Sequence, residues 1–326
     1  MAVNRSRRPY DPKKRMIAFL ITLAVIAAVY FFAPDVLVDL GIIEPVAGFS
    51  RTPSPTAAPE QSSTEEEDAL RAYIIDVGQG DSILLVSPSG KTMLVDAGES
   101  GSFENIDALL AQKQIETLDV VVATHPHSDH IGGMTKVINK YTINDFYLPD
   151  IEHTTSAFAN MLEALSDHKV KVHKAQGGKD ALISWDPQVE VRILSPLAGG
   201  DYGDDLNAWS IVLRVKFGDT AILLTGDAEA PTESFALNSL PASYFKATVL
   251  KLGHHGSSTS TSEAFLKAVS PEIAVASLGK DNDYGHPHAE TLALLARYDI
   301  PLYRTDESGT IEVVLDGSKA SVTTAR

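Results

Sequence analysis

The sequence predicts a mixed α/β (α+β) domain over residues 71–326, built from two sheets covered by helices. Two observations within that span predict it. Short strand-like runs follow one another through hairpin turns, and helical patterns fall between others. Strands that meander in one stretch and alternate with helices in another favour two packed sheets over one doubly wound sheet. A third observation sets the start of the domain: residues 1–15 form a basic head, 16–43 a membrane anchor and 44–70 an unfolded tether.

The anchor rests on Met16–Ala33, which is 18 residues without a charge. That length just crosses a bilayer. Arg5, Arg7, Arg8, Lys13, Lys14 and Arg15 lie on its N-terminal side against a single acid, Asp11. This asymmetry predicts a single-pass helix with the N-terminus cytoplasmic and the rest of the chain extracellular. A cleaved signal peptide is the alternative. No small-x-small site follows the run directly, and further apolar residues continue from Val36 to Ile43. The stretch that follows, Thr52 to Asp68, is rich in Pro, Ser, Thr and Glu and cannot bury enough apolar surface to fold.

Strands are predicted at Ala72–Asp76, Ser82–Val86, Thr92–Asp96, Val120–Ala123, Val189–Leu194, Ser210–Phe217, Thr220–Thr225, Ala247–Leu252, Ile273–Ser277 and Thr310–Leu315. Hairpin turns join two pairs of them, at Ser87-Pro-Ser-Gly90 and at Gly218-Asp219. Helical patterns occupy Glu104–Gln112, Ser156–Ser166, Ser262–Val269 and Ala289–Tyr298.

Composition narrows the chemistry. The formal charge is −16, and the basic head makes the remainder more acidic still. Such a body would not hold long nucleic acid by non-specific charge, and no basic or aromatic stripe of the kind that binds single strands is visible. There is no cysteine, which excludes thiolate metal sites, disulfides and a thiol nucleophile. Any metal must be held by His, Asp or Glu.

One segment meets that requirement. In Val121-Val-Ala-Thr-His125-Pro-His127-Ser-Asp129-His130-Ile-Gly-Gly133, an apolar strand runs into three histidines and an aspartate within six residues. Neutral imidazoles are metal ligands near pH 7, and a carboxylate among them supplies charge for a second divalent ion. Two later strand ends offer more donors: Leu223-Leu-Thr-Gly-Asp227 and Val249-Leu-Lys-Leu-Gly-His254-His255.

The His-x-His-x-Asp-His run followed by Gly-Gly resembles the signature of the metallo-β-lactamase superfamily. The resemblance implies an αββα sandwich and a hydrolase with two divalent metal ions, Zn or Mn. His125 and His127 would serve one metal, and Asp129 and His130 the other. Asp227 would be the bridging carboxylate, and either His254 or His255 the last ligand, His254 being preferred because it leaves the strand first. Asp96, in Met93-Leu-Val-Asp96-Ala-Gly98, resembles the family's aspartate that orients a ligand from behind. Many members carry a further histidine between the His-rich loop and the bridging aspartate. The candidates here are His153, His168 and His173, in a polar region expected to be helical.

A narrower resemblance spans nearly all of residues 72–315. Ile75-Asp-Val-Gly-Gln-Gly-Asp-Ser82, Asn207-Ala-Trp-Ser210, His254-His-Gly-Ser-Ser258, Tyr284-Gly-His-Pro287 and Tyr303-Arg-Thr-Asp306 are similar to the hydrolase domain of ComEC-type DNA-uptake (competence) proteins. Those proteins carry many membrane spans, whereas this chain has one candidate span. The resemblance implies a phosphodiesterase or nuclease, with a phosphodiester substrate such as single-stranded DNA. Asp129 would be catalytic as a ligand of the activating metal. His286 would donate a proton or contact phosphate. Gln79, Gly80 and Asp81 form a turn placed near the metals, and Asn207, Ser210, Ser257 and Ser258 could contact substrate or support a ligand. Arg304 could meet developing negative charge, or form an ordinary surface ion pair. Three readings stay open: this phosphodiesterase, acting on DNA or on a surface phosphodiester such as a teichoic-acid-like polymer; another hydrolase of an ester, lactone, thioester or β-lactam; and a non-catalytic surface binding protein.

Overall fold

A computed structural model describes residues 68–326. The basic head, the expected anchor helix and nearly all of the tether lie outside the described residues. Among the described residues, no helix is long and apolar enough to cross a membrane.

Two mixed sheets form the domain. The first contains β1 (Leu70–Ile74), β2 (Ile83–Val86), β3 (Thr92–Val95), β4 (Thr117–Val122), β5 (Thr142–Pro149) and β6 (Lys171–Ala175). The second contains β7 (Leu182–Asp186), β8 (Val189–Ser195), β9 (Val212–Phe217), β10 (Thr220–Leu224), β11 (Val249–Lys251), β12 (Ile273–Ala276) and β13 (Leu302–Arg304). The chain then returns to the first sheet with β14 (Ile311–Leu315) and β15 (Ala320–Thr324), giving the order β15-β14-β1-β2-β3-β4-β5-β6 against β13-β12-β11-β10-β9-β8-β7. Each sheet is antiparallel in one half and parallel in the other: β3 to β6 run parallel, as do β10 to β13.

Alternation of side chains along the strands builds four layers. Leu70, Ala72 and Ile74 of β1 enter a core between the sheets, together with Met93, Val120, Val122, Leu213, Val215, Ile222 and Val249. Tyr73, Leu84, Leu94 and Val121 point outward instead, into a second core under helices 103–112, 134–140 and 156–167. On the other sheet, Val212, Leu223, Leu250 and Ala274 pack outward against helices 230–239, 263–269 and 289–297. The result is helix, sheet, sheet, helix, the sandwich that the sequence predicts.

The differences lie at the margins. Strands β5, β6, β7, β13 and β15 were not anticipated, and the region around His173 is strand β6 rather than helix. Both β6 and β15 lie at sheet edges and carry mostly exposed or half-buried side chains, so no apolar run announces them. The predicted Ser262–Val269 helix begins one residue later, because the Ser262 hydroxyl accepts the Phe265 N–H as its N-cap.

Candidate metal centre

The loops after β3, β4, β10, β11 and β12 converge on one spot. Loop 123–127 leaves β4 and delivers His125 and His127, and the short helix 128–131 presents Asp129 and His130. A tight turn after β10 presents Asp227, whose backbone N–H donates to the Ser210 hydroxyl at 3.1 Å. Beyond β11, residues 253–256 make a single turn in which His254 and His255 both take positive φ, 49° and 55°.

Two groups of side chains present donor atoms within 4.8 Å of one another and share Asp227: Asp129, His130, Asp227 and His255, and His125, His127 and Asp227. His130 Nε2 lies 3.2 Å from Asp227 Oδ1, and His255 Nε2 lies 3.2 Å from Asp129 Oδ2 and 3.5 Å from Asp227 Oδ2. His125 Nε2 and His127 Nδ1 face each other at 2.9 Å, with His125 Nε2 3.8 Å from Asp227 Oδ2. His130 Nε2, His255 Nε2 and Asp227 Oδ1 are buried yet make no properly directed hydrogen bond. Buried polar atoms are costly to leave unpaired, so converging orphans of this kind fit a cation. The set of imidazole nitrogens and carboxylate oxygens suits divalent metals.

Two of the candidate ligands, His130 and His255, are fixed from behind. Asp96 is fully buried; its Oδ1 accepts the Thr124 N–H at 2.7 Å, and its Oδ2 meets the Thr124 hydroxyl at 2.6 Å and His130 Nδ1 at 2.8 Å. This places it behind His130, a candidate ligand. His255 Nδ1 donates to the Ser277 carbonyl at 2.8 Å and lies 3.4 Å from Asp81 Oδ1. Asp81 in turn pairs at 2.9 Å with Lys251 Nζ, and Lys251 has no exposed surface.

The charges follow from these contacts. Burial, with His130 alongside, holds His125 well below the ordinary imidazole range, and burial also lowers His127. Both are neutral imidazoles at pH 7. Burial also opposes charge on His130 and His255, but Asp227 outweighs it, aided by Asp96 at His130 and by Asp129 at His255, so both rings are held well above that range. Their protons offset the carboxylates; a divalent cation there would take over that role and displace them. For Asp81, burial favours the neutral acid, but Lys251 and His255 outweigh it and hold the group at about 2.

The remaining predicted residues divide. Gln79, His254 and His286 line the pocket over the cluster with Ser128, Asp129 and Tyr284. His255, not His254, joins the four-residue cluster: the left-handed turn carries the first histidine past the site and swings the second in. His254 Nδ1 meets Glu229 Oε1 at 3.1 Å instead, with its Nε2 3.8 Å from Asp227 Oδ2. Ser210 lies 3.4 Å from His125 Nδ1, and Asn207 Nδ2 donates to Glu229 at 3.5 Å. Ser257 bonds Thr259, and the Ser258 N–H donates to His288 Nδ1, so both brace the loop rather than line the pocket. Arg304 pairs with Asp306 and Glu307. His153, His168 and His173 bond Thr155, Asn139 and Asp145 and join neither group of donors. Sequence reasoning missed Lys251, Thr124, Ser277 and Glu229. Only Lys251 carried a signal, as a lone charge inside an apolar strand.

A family model described as the metallo-beta-lactamase superfamily matches residues 75–280. The chain belongs to this superfamily. The fold is that of a metal-dependent hydrolase, and the His/Asp cluster is its candidate metal-binding site. Among curated relatives, ComE operon protein 3 of Bacillus subtilis is 33% identical over 256 residues, covering 73% of this chain and 32% of that protein. Competence protein ComA of Neisseria gonorrhoeae is 33% identical over 298 residues, covering 90% of this chain and 38% of its own length. Exodeoxyribonuclease WalJ of Streptococcus pneumoniae matches a shorter stretch, 40% identical over 77 residues, 23% of this chain and 28% of that protein. The chain thus spans about a third of the length of ComE operon protein 3 and of competence protein ComA. This superfamily membership and these relatives match the resemblance read from the motifs.

Proposed function

We propose that this chain is a metal-dependent phosphodiesterase acting on nucleic acid, with single-stranded DNA as substrate, held at the outer face of a membrane by residues 16–43. The observation that carries the reading is the Asp227 carboxylate. Its Oδ2 faces both His125 of one donor group and His255 of the other, and its Oδ1 faces His130, so cations held by the two groups would have this carboxylate in common. His125, His127 and Asp227 would hold one ion; Asp129, His130, Asp227 and His255 would hold the second. Such ions supply Lewis-acid polarisation of a phosphoryl oxygen and bring the pKa of water towards neutrality.

The chain's own side chains do the rest. Asp96 and Ser277 hold His130 and His255 in the ring orientations that present Nε2. Asp129, held well below the ordinary carboxylate range by His255 and His130 against the opposing pull of burial, stays ionised as a ligand and does not donate a proton. His286 is pushed down to about 4 by burial and by the neighbouring His255, His254 and His288. It is neutral at pH 7, which suits a hydrogen-bond donor to a phosphate oxygen, with the leaving group's proton coming from water. The names of the competence and exodeoxyribonuclease relatives support nucleic acid as the substrate class.

The test is the paired substitution Asp129→Ala with His130→Ala, assayed with manganese or zinc on bis-p-nitrophenyl phosphate and single-stranded DNA. Turnover on both should fall to background while circular dichroism keeps the native signature. Retained hydrolysis would remove the two-metal reading. Hydrolysis by the wild type of a lactone or β-lactam but no phosphodiester would transfer the site to another hydrolase class.

A further inference from the structure

We propose that Tyr284 is a stacking platform for a nucleobase of the substrate, the base of the nucleotide beside the phosphodiester to be cleaved. This rests on the phosphodiesterase reading and names how that site would recognise its substrate. The pocket over the candidate metal ligands has a volume of about 240 Å³, and His254, His255, Tyr284 and His286 are among the residues that line it. No Lys or Arg belongs to this lining, so phosphates flanking the bound one find no ionic partner there. Grip beyond the metals must come from another kind of contact, and Tyr284 supplies the lining's only phenol ring.

Tyr284 is 65% exposed, more than any other large apolar or aromatic side chain among those exposed in the described residues. It is nevertheless not a loose surface residue. Its ring stacks on His286, with centroids 5.6 Å apart and planes 19° from parallel. The loop that carries it is braced at several points. Asn282 Nδ2 donates to the His286 carbonyl at 2.8 Å, and the His286 N–H donates back to Asn282 Oδ1 at 3.0 Å. His288 Nδ1 accepts the Ser258 N–H at 2.9 Å, which leaves the proton on Nε2 to donate to the Tyr284 carbonyl at 3.1 Å. A ring held this way costs little ordering entropy when a ligand lands on it.

A second, independent observation points to a ligand here. His286 Nδ1 is buried with no hydrogen-bond partner, in a side chain of a residue only 8% exposed that lines the same pocket. A polar substituent next to a stacked base, a phosphate or sugar oxygen, would satisfy it. Rings also connect platform and ligands: His286 sits 5.5 Å from His254 and 6.2 Å from His255. Tyr284 is therefore one ring, that of His286, away from the side chains that would hold the metal ions. Stacking tolerates every base, so the platform would confer a preference for nucleotides without sequence specificity.

The test uses the full-length chain with manganese on three substrates: a short single-stranded oligonucleotide, the same oligomer with abasic tetrahydrofuran units, and methyl p-nitrophenyl phosphate. The wild type should favour the base-bearing oligomer over the abasic one by about tenfold in kcat/KM, expressed mainly in KM. Tyr284→Ala and Tyr284→Leu should erase that preference, and Tyr284→Phe, which keeps the ring, should retain it. Equal cleavage of both oligomers by the wild type overturns the proposal, as does a Tyr284→Ala loss of the same size on both, or failure of Tyr284→Phe to retain the preference. Cleavage of the methyl ester alone leaves the phosphodiesterase standing and removes the platform; cleavage of nothing removes both.

Discussion

Lys251 is the residue with most to explain. It is fully buried in the three-residue strand β11, and its ammonium pairs with Asp81 beneath His255. A buried charge left without its partner costs about 3–5 kcal/mol. Lys251→Met alone should therefore lower the unfolding midpoint sharply, while Lys251→Met combined with Asp81→Asn should recover most of the stability. The double variant should still bind metal more weakly, because no negative charge then stands behind His255. Calorimetry and metal titration separate the two effects; full metal affinity in the double variant would make the pair purely structural. Asp96→Asn, which disturbs the contact behind His130, should weaken metal binding by about 10- to 100-fold, and unchanged affinity would deny Asp96 that role. The His-x-His-x-Asp-His run was legible because each ligand type is unusual at that density. The choice between His254 and His255 was not, since order along the chain predicts which histidine comes first but not a left-handed turn that swings the second inward.

Elements set how closely these residues approach. The turn at Gly80 lies against the loop of ligands: a Cβ there would sit 2.1 Å from the Asp129 carbonyl oxygen, and φ is +115°. The Asp81 N–H also donates to that carbonyl at 3.1 Å. Gly80→Ala should thus push the turn away from helix 128–131, lowering both stability and metal affinity; thermal melts with and without metal would read it, and wild-type behaviour in both would show that the turn is free to shift. Strands β2, β3, β4, β10 and β12 were legible because burial on both faces makes them continuous apolar runs. Edge strands such as β6, with the sequence KVHKA, alternate poorly and expose most of their side chains. They are held by pairing to a neighbour rather than by their own pattern, which a single sequence does not display.

At the scale of the whole molecule, charge and metal dominate. The chain carries −16, and the pocket lining has no Lys or Arg. Cleavage of single-stranded DNA should therefore depend weakly on salt, with a slope of log kcat/KM against log salt of about −1 or shallower. A slope of several units would reveal a cationic track along the backbone elsewhere on the chain. The αββα layering was legible from the order of strands and helices together with the motif that ends β4, whereas the mirrored halves of the two sheets emerge only from pairing.

The most direct test of a metal-dependent phosphodiesterase joins metal content to turnover. The purified chain would be analysed for bound divalent metal, then assayed on bis-p-nitrophenyl phosphate and single-stranded DNA before chelation, after chelation and after return of manganese or zinc. The structure predicts bound metal, loss of both activities on chelation and recovery of both on metal return. Phosphodiester hydrolysis that survives complete removal of metal, or a metal-loaded chain that cleaves neither substrate, would contradict it.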